Sequence, residues 1–551
     1  MLVLIISFLA ISLSCMWLGF LLTAGKYKHP VVHTINGLTG FTLIAQAFAL
    51  FLPVNFFLWI GITSALITTA FIKRNLWKNF IHYLKNAFAE IAFTDKVLTG
   101  VLWLTIILIG AGPVMMDDTE SYHIQLIKWI QEYGSVPGLV NLHERYGFNS
   151  SWFSSVALFG FSSASFNVYT VLNLTISCWF CYYLVSRMSN PNPLSWRFPF
   201  LFVLIAALLV WPMIRGNAAT ANYDFITTVV VCILFMEFFL SKDETPPAIK
   251  PEWLIWPVYL FSVRVINFPL LLISFIAIAA YLQTKQIKKI IYPFLFCFLL
   301  IIPFLARNVI VSGYLFFPAP YVDLFSVDWK PPHETIEQLL YYIKYYNRVS
   351  TAYLDLQQTE ALGETGWVGN WFRYLFTYDK LIVIAGVTGL ISGFLFFKKR
   401  NTLISSRTFI AILLAQLLAW FMISPDPRFV YGCLLCGVFL LPFVFQKLIL
   451  LKITSGLQKI IPVFFILLIS GYAVKKIINE PEYRNWILPK ELSQPQAKEY
   501  LLNGITLRIP EIINNNWNPR CIGTALPCVY EIHPALLPRG KSIKEGFRIK
   551  K

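Results

Sequence analysis

Charge is scarce in this chain. Only 13% of its 551 residues are Asp, Glu, Lys or Arg, and acids are outnumbered by bases, 28 to 45. No internal repeat, low-complexity tract or nucleotide-binding glycine loop is present, which excludes a repeat array and a phosphate-cradling glycine turn. The first run, residues 1–23, lacks the basic start and small-residue cleavage site of a signal peptide and is expected to be a retained span. In place of charge there is apolar surface: 57% of residues are hydrophobic, 17% are aromatic, and the mean hydropathy is +0.63. No soluble core of this size buries so much, and the apolar runs recur along the chain, so the expectation is an all-α, multi-span integral membrane protein.

The net charge of +17 does not indicate a nucleic-acid partner, because the bases are dispersed in short clusters between apolar runs. Lys26 with Lys28, the group Lys73, Arg74, Lys78 and Lys85, then Lys285, Lys288 and Lys289, and finally Lys398, Lys399 and Arg400 read as topology signals on the cytoplasmic face. Seven of the nine cysteines, including the spaced pairs Cys178/Cys181 and Cys433/Cys436, lie in apolar runs without polar ligands, and they read as small hydrophobes, not as a metal or redox site. Cys521 and Cys528 instead occupy a polar tail. In an oxidising compartment the short segment between them, with Pro527, favours a disulfide.

Counting runs predicts about fourteen spans with both termini outside. Residues 1–96 form an N-terminal three-span extension, and 97–310 a core whose first outside loop is 115–167. Residues 311–380 form a large outside loop, 381–476 the C-terminal spans, and 477–551 an outside tail. Two short helices, 252–263 and 267–283, are expected to flank Arg264, either as a broken hairpin opening on a polar cavity or with Arg264 snorkelling to headgroups. The large loop contains a helical stretch, His333–Asn347. Its aromatics Trp329, Tyr341, Tyr342, Tyr345, Tyr346, Trp367 and Trp371 suit either stacking on sugars or anchoring at the interface.

The segment Asp117–Trp152 is the first chemically equipped stretch to leave the apolar runs. Asp118, Tyr122, Leu126, Trp129, Ile130 and Tyr133 recur at helical spacing, which predicts an amphipathic helix on the bilayer surface, while Ser150–Phe161 is too short to span and is expected in the interface. Asp117 and Glu120 match a capping box. That reading leaves Asp118 without a role, and an acid at a membrane boundary is a functional candidate. Near other predicted boundaries stand Asp224, Arg215, Arg264, Arg307 and Arg428. An arginine fork donates paired hydrogen bonds to a phosphate and stays charged, and a carboxylate accepts a proton from an attacking hydroxyl. Group transfer from a membrane-bound phosphate donor needs both.

At these residues the chain becomes recognisable. DTESYHIQLIKWIQEYGSV, from Asp118, resembles the first-loop motif Asp-x-x-x-Tyr-His and aromatic helix of GT-C membrane glycosyltransferases, such as the dolichyl-phosphate-mannose and aminoarabinose transferases. RNVIVSGYLFFP looks like the stretch that opens their large loop, and PDPRF like their late Pro-x-Arg-aromatic motif. The resemblance runs from about Leu98 to Tyr431. The ending, CIGTALPC…LPRGKSIKEGFRI, is similar to the tail of an uncharacterised family of bacterial multi-span proteins. Thr119 follows Asp118 where these enzymes commonly carry an Asp-Glu pair.

The resemblance implies a bacterial inner-membrane enzyme that moves a sugar, with inversion, from a polyprenyl-phosphate carrier to an acceptor hydroxyl on a glycan, lipid or protein at the extracytoplasmic face. It assigns Asp118 as general base, with Asp117 beside it, and Asp224 to orient the acceptor or hold a divalent metal. Tyr122, His123, Arg215 and Arg264 would contact substrate, and Arg307 and Arg428 would stabilise the departing phosphate. A polysaccharide polymerase or ligase, and a non-catalytic flippase or assembly subunit, are the alternatives.

Overall fold

The computed structural model describes residues 1–27, 29–161, 168–189, 197–241, 249–348, 354–397, 405–445, 455–511 and 520–550. Lys28 and the basic cluster Lys398–Arg400 lie outside them. The protein is largely helical, and α1 (Leu2–Thr23) and α2 (Pro30–Ala49) pack along their lengths. After α3 (Phe56–Ile72) the chain turns by 101° into α4 (Arg74–Ala89). One face of α4 sets Trp77 and Phe80 against Trp17 of α1, while Arg74, Lys78 and Lys85 are exposed. That split is why α4 departs from the direction of α3: its bases cannot enter an apolar layer, but its aromatic face can rest on α1.

Helix α5 (Phe93–Gly110) leads to the first loop, which holds a π-helical turn (Thr119–His123), α6 (Ile124–Glu132), a 3₁₀ turn (Glu144–Gly147) and α7 (Ser151–Phe159). Then follow α8 (Val171–Ser189), α9 (Arg197–Leu209), α10 (Ile214–Asn217), α11 (Asp224–Leu240) and α12 (Glu252–Val263). Arg264 is extended, and a 3₁₀ turn (Val265–Leu270) starts α13 (Leu271–Gln283), so the expected break at Arg264 is present. Beyond α14 (Ile287–Ser312), the large loop carries α15 (His333–Tyr346), α16 (Leu356–Ala361) and α17 (Gly363–Tyr374). The last helices are α18 (Thr377–Phe396), α19 (Ser406–Ile423), α20 (Tyr431–Phe445) and α21 (Ser455–Asn479). The tail pairs β1 (Ala497–Leu502) with β2 (Ile505–Pro510) and β3 (Leu536–Pro538) with β4 (Phe547–Ile549), both antiparallel.

Among the described residues eight helices are long and apolar enough to cross a membrane, or nine if the bent pair α3–α4 is one span, which is the architecture of a multi-pass membrane protein. The expectation of about fourteen is therefore too high. An apolar run signals burial, and burial can be in protein as well as in lipid. Helix α8 is enclosed on nearly every side and carries Asn173, Thr175 and Ser177, and α11 and α12 are short and likewise wrapped by neighbours. All nine residues of α7 are buried, so Ser150–Phe161 lies in the interior and not at the interface. The amphipathic segment also differs from expectation: Leu126, Trp129 and Ile130 are buried within protein, with α7 packed against α6 and the tail bonded to its Gln125 and Lys128.

Helices α18 and α20 meet backbone to backbone. A β-carbon on Gly389 would lie 2.0 Å from the Gly437 carbonyl oxygen, and one on Gly437 would lie 1.9 Å from that of Gly386. Only glycine permits this approach, the small-residue packing common between helices in membranes. It fixes α20, and with it the Pro427–Val430 turn at its start.

Candidate functional site

At one end of the bundle the first loop, the α12–α13 break, the α19–α20 turn and the large loop enclose a cavity of about 880 Å³. Asp118 stands just before the π-helical turn, a local form recurrent at functional sites, and follows Met116, whose backbone is left-handed at φ 71°. Asp224 begins α11, where the Asn222 side chain accepts its backbone N–H. Arg428 sits in the Pro427–Val430 turn, which is capped by Asp426 Oδ1 accepting from the Arg428 N–H at 3.0 Å. The indoles of Trp371 and Trp420 donate to the carbonyls of Pro425 and Asp426, both at 2.7 Å, and so fix the turn's backbone.

Three carboxylates and three guanidiniums meet there. Arg428 Nη1 is 2.9 Å from Asp118 Oδ2, and its Nε is 2.8 Å from Asp426 Oδ2 and 3.8 Å from Asp224 Oδ2. That Nε makes no directed hydrogen bond, so its contacts are Coulombic. Arg264 pairs with Asp224 and lies 3.4 Å over the Phe429 ring. Arg145 is 3.4 Å from Asp118 Oδ1, donates to the Tyr342 hydroxyl at 3.3 Å and covers the Tyr122 ring. The side chains of Asp118 and Arg428 keep 22% and 27% exposure, enough to meet a ligand in the cavity.

Burial opposes charge on Asp118, but Arg428 first, then His123 and Arg145, outweigh it and hold the carboxyl down to about 2. His123 contributes only in acid, because burial lowers its own imidazole to about 3, so at neutral pH the two arginines alone favour the charged carboxylate. A carboxylate so held is fully ionised and, while the arginines stay, a weak base.

The structure brings Asp118, Asp224, Tyr122, His123, Arg264 and Arg428 to one cavity. Asp117 stands at its mouth, 82% exposed, with Arg520 Nη2 at 2.9 Å, and Glu120 takes Arg520 Nη1 at 2.8 Å. The two acids therefore hold the tail and do not form a capping box. Arg215 and Arg307 are not in the wall. Arg215 donates to the Leu209 carbonyl at 2.8 Å, and Arg307, 2% exposed in α14, lies behind Asn149 and donates to its side chain. Asn149 faces the cavity in its stead.

Of the large-loop aromatics, Tyr342, Tyr346 and Trp371 line the cavity. Trp367 packs with Trp371 and Phe421, Trp329 donates to the Val309 carbonyl, and Tyr341 and Tyr345 meet as tilted rings outside the wall. Two wall residues had no signal in the sequence. Arg145 lies in an ordinary turn. Asp379 opens an apolar helix, accepts from the Tyr431 hydroxyl at 2.6 Å and has no arginine partner among the described residues. Val265, Ile266, Leu339, Ile343, Leu375 and Ile423 give the wall an apolar stretch. No group of three or more His, Cys, Asp or Glu among the described residues is arranged to hold a metal ion, since the ring aspartates face arginines.

Beyond the cavity the tail clasps the first loop. The expected Cys521–Cys528 disulfide is present, and its loop offers carbonyls to first-loop donors. Gln125 reaches Ile522 and Thr524, Lys128 reaches Gly523 and Thr524, and the Tyr146 hydroxyl reaches Cys528 at 3.0 Å.

Fold and site together define a class: a multi-pass helical membrane protein with a half-apolar cavity in which arginines and aspartates are matched. Residues 1–435 match the family described as Domain of unknown function (DUF8201), and the chain belongs to that family. No curated protein and no solved structure matches it.

Proposed function

We propose that this protein is an integral membrane glycosyltransferase. It moves a sugar from a polyprenyl-phosphate carrier to an acceptor hydroxyl, with inversion, in the cavity around Asp118. The observation that carries the reading is the ring of Arg145, Arg264 and Arg428 around Asp118, Asp224 and Asp426, set against an apolar wall. Forked cations suit the phosphate, the wall suits the prenyl chain, and a carboxylate suits the proton. Asp118 is the base. Arg428 and Arg264 hold the phosphate, with Arg145 behind Asp118, and Asn149 stands where Arg307 was expected. Asp224 orients the acceptor. We place the protein in the bacterial inner membrane with this cavity outside, a reading supported by the disulfide in the clasping tail and the exposed bases of α4.

The test is mass spectrometry of lipid extracts from a deletion strain. A polyprenyl-phosphate sugar should accumulate while one envelope glycan, lipid or protein loses that sugar. A second reading, a non-catalytic flippase or assembly subunit, draws on the ion-paired state of Asp118. It requires lost translocation with no sugar transfer by the purified protein.

A further inference from the structure

We infer that the donor phosphate itself frees the base: an anion bound at Arg428 and Arg264 draws Arg428 off Asp118, and the released carboxylate then takes the acceptor's proton. This deepens the glycosyltransferase reading and rests on it. Before substrate arrives the ring is balanced, three carboxylates against three guanidiniums. Arg428 touches all three acids, so it is the cation through which an added negative charge redistributes the pairs. Its backbone is fixed by the Asp426 cap and the indoles of Trp371 and Trp420, so the exchange is a movement of the side chain alone.

In the transfer, the acceptor O–H bond breaks and its proton passes to Asp118. The acceptor oxygen bonds to the anomeric carbon, and the bond from that carbon to the phosphate oxygen breaks, its electron pair leaving on the lipid phosphate beside Arg428. The free site thus keeps Asp118 paired, and the loaded site has it available.

Other groups also face Asp118. Tyr122 and His123 are on its own turn, Arg145 and Tyr342 are on one side, and Tyr223 with Arg264 on the other. Tyr530 approaches from the tail. His123 is already neutral near pH 7, and Arg145, at 3.4 Å and tied to Tyr342, is the partner that remains once Arg428 leaves. Asp379, hydrogen-bonded by Tyr431, is the competing site for a proton.

Linkage makes the idea measurable. If phosphate and Asp118 compete for Arg428, neutralising Asp118 must tighten phosphate binding, and bound phosphate must raise the proton affinity of Asp118 by the same factor. An opposite charge this close lowers a carboxyl by roughly 1–3 pH units, so its removal corresponds to about tenfold or more in affinity. The probe is a long-chain polyprenyl methyl phosphodiester, which keeps one negative charge throughout, titrated into the full chain in lipid nanodiscs. At neutral pH Asp118→Asn should bind it about tenfold or more tighter than wild type, and Arg428→Gln should bind it more weakly than wild type. In wild type, infrared difference spectra around pH 4 should show a protonated carboxyl band appearing on binding. That measurement needs no Asp118 variant to fold. Equal affinity in wild type and Asp118→Asn, or an equal gain in Asp379→Asn, overturns the exchange but leaves the phosphate reading standing. No binding to folded wild-type protein overturns both.

Discussion

Arg520 and Glu120 are 400 residues apart in the chain, yet Arg520 Nη1 donates to Glu120 Oε2 at 2.8 Å. The same guanidinium takes Asp117, so the two acids on either side of Asp118 in sequence are paired from the tail, and Asp118 alone of the three pairs with the cavity arginines Arg145 and Arg428. The tail thereby sets both the position and the local field of the loop that carries Asp118.

Because the clasp closes on the Cys521–Cys528 loop, replacing both cysteines with serine should loosen it. Closing so short a loop is worth about 2 kcal/mol, and the partly exposed Arg520 pairs about 1 kcal/mol or less. Hydrogen exchange over residues 117–132 should quicken in the double serine variant and in reduced wild type, and less in Arg520→Ala. Unchanged exchange in all three would remove the clasp.

The folded-state value of Asp118 lies below that of a free carboxyl, so its pairing contributes stability that is present above the unfolded value and is lost as pH falls through the folded one, about 2. The difference in melting temperature between wild type and Asp118→Asn should therefore hold constant from neutrality down to about pH 4 and shrink only below it. A difference that shrinks between neutrality and mildly acidic pH would contradict the Arg428 pairing.

Gly437→Ala places a methyl group against the Gly386 backbone, where a β-carbon has 1.9 Å. Helices α18 and α20 must separate, at a cost of about 1–3 kcal/mol, and the Arg428 turn moves with α20. Gly471→Ala, inside α21 with open space around it, is the control and should melt at or slightly above wild type.

Much of this site was legible because it is local. The Asp-x-x-x-Tyr-His run, the apolar break at Arg264, the helix in the large loop and the tail cysteines each announce themselves within a few residues. Arg145 and Arg520 did not, since their roles come from partners far along the chain. Arg307 misled for a related reason: a buried arginine and a cavity arginine look alike until the helix's facing is known, and α14 turns it behind Asn149. The span count failed on α8, α11 and α12, whose apolar surface is covered by other helices. The covering of α6 by α7 and the tail was equally invisible to periodicity, which reports an apolar side and not what lies against it.

The contrast between Arg428 and Arg307 follows directly. Arg428→Lys keeps the charge but loses the fork that spans Asp118 and Asp426, so donor binding should weaken by about 2 kcal/mol or more, the scale of a charge-assisted hydrogen bond. Arg307→Lys should act on folding and on Asn149, with a smaller effect on donor affinity in whatever protein folds. Binding measured for both variants in nanodiscs checks this, and a larger loss at Arg307 would reverse the assignment.

Turnover of the purified Asp118→Asn variant, with the lipid-linked sugar identified from the deletion strain as donor, bears most directly on catalysis at this cavity. The substitution nearly preserves size and removes the capacity to take a proton. The protein should fold and bind donor at least as tightly as wild type, while the rate falls by about 10²–10⁴, the contribution of a general base, or about 3 kcal/mol of barrier at the lower end. Near-wild-type turnover in a folded, donor-binding Asp118→Asn protein would contradict the account.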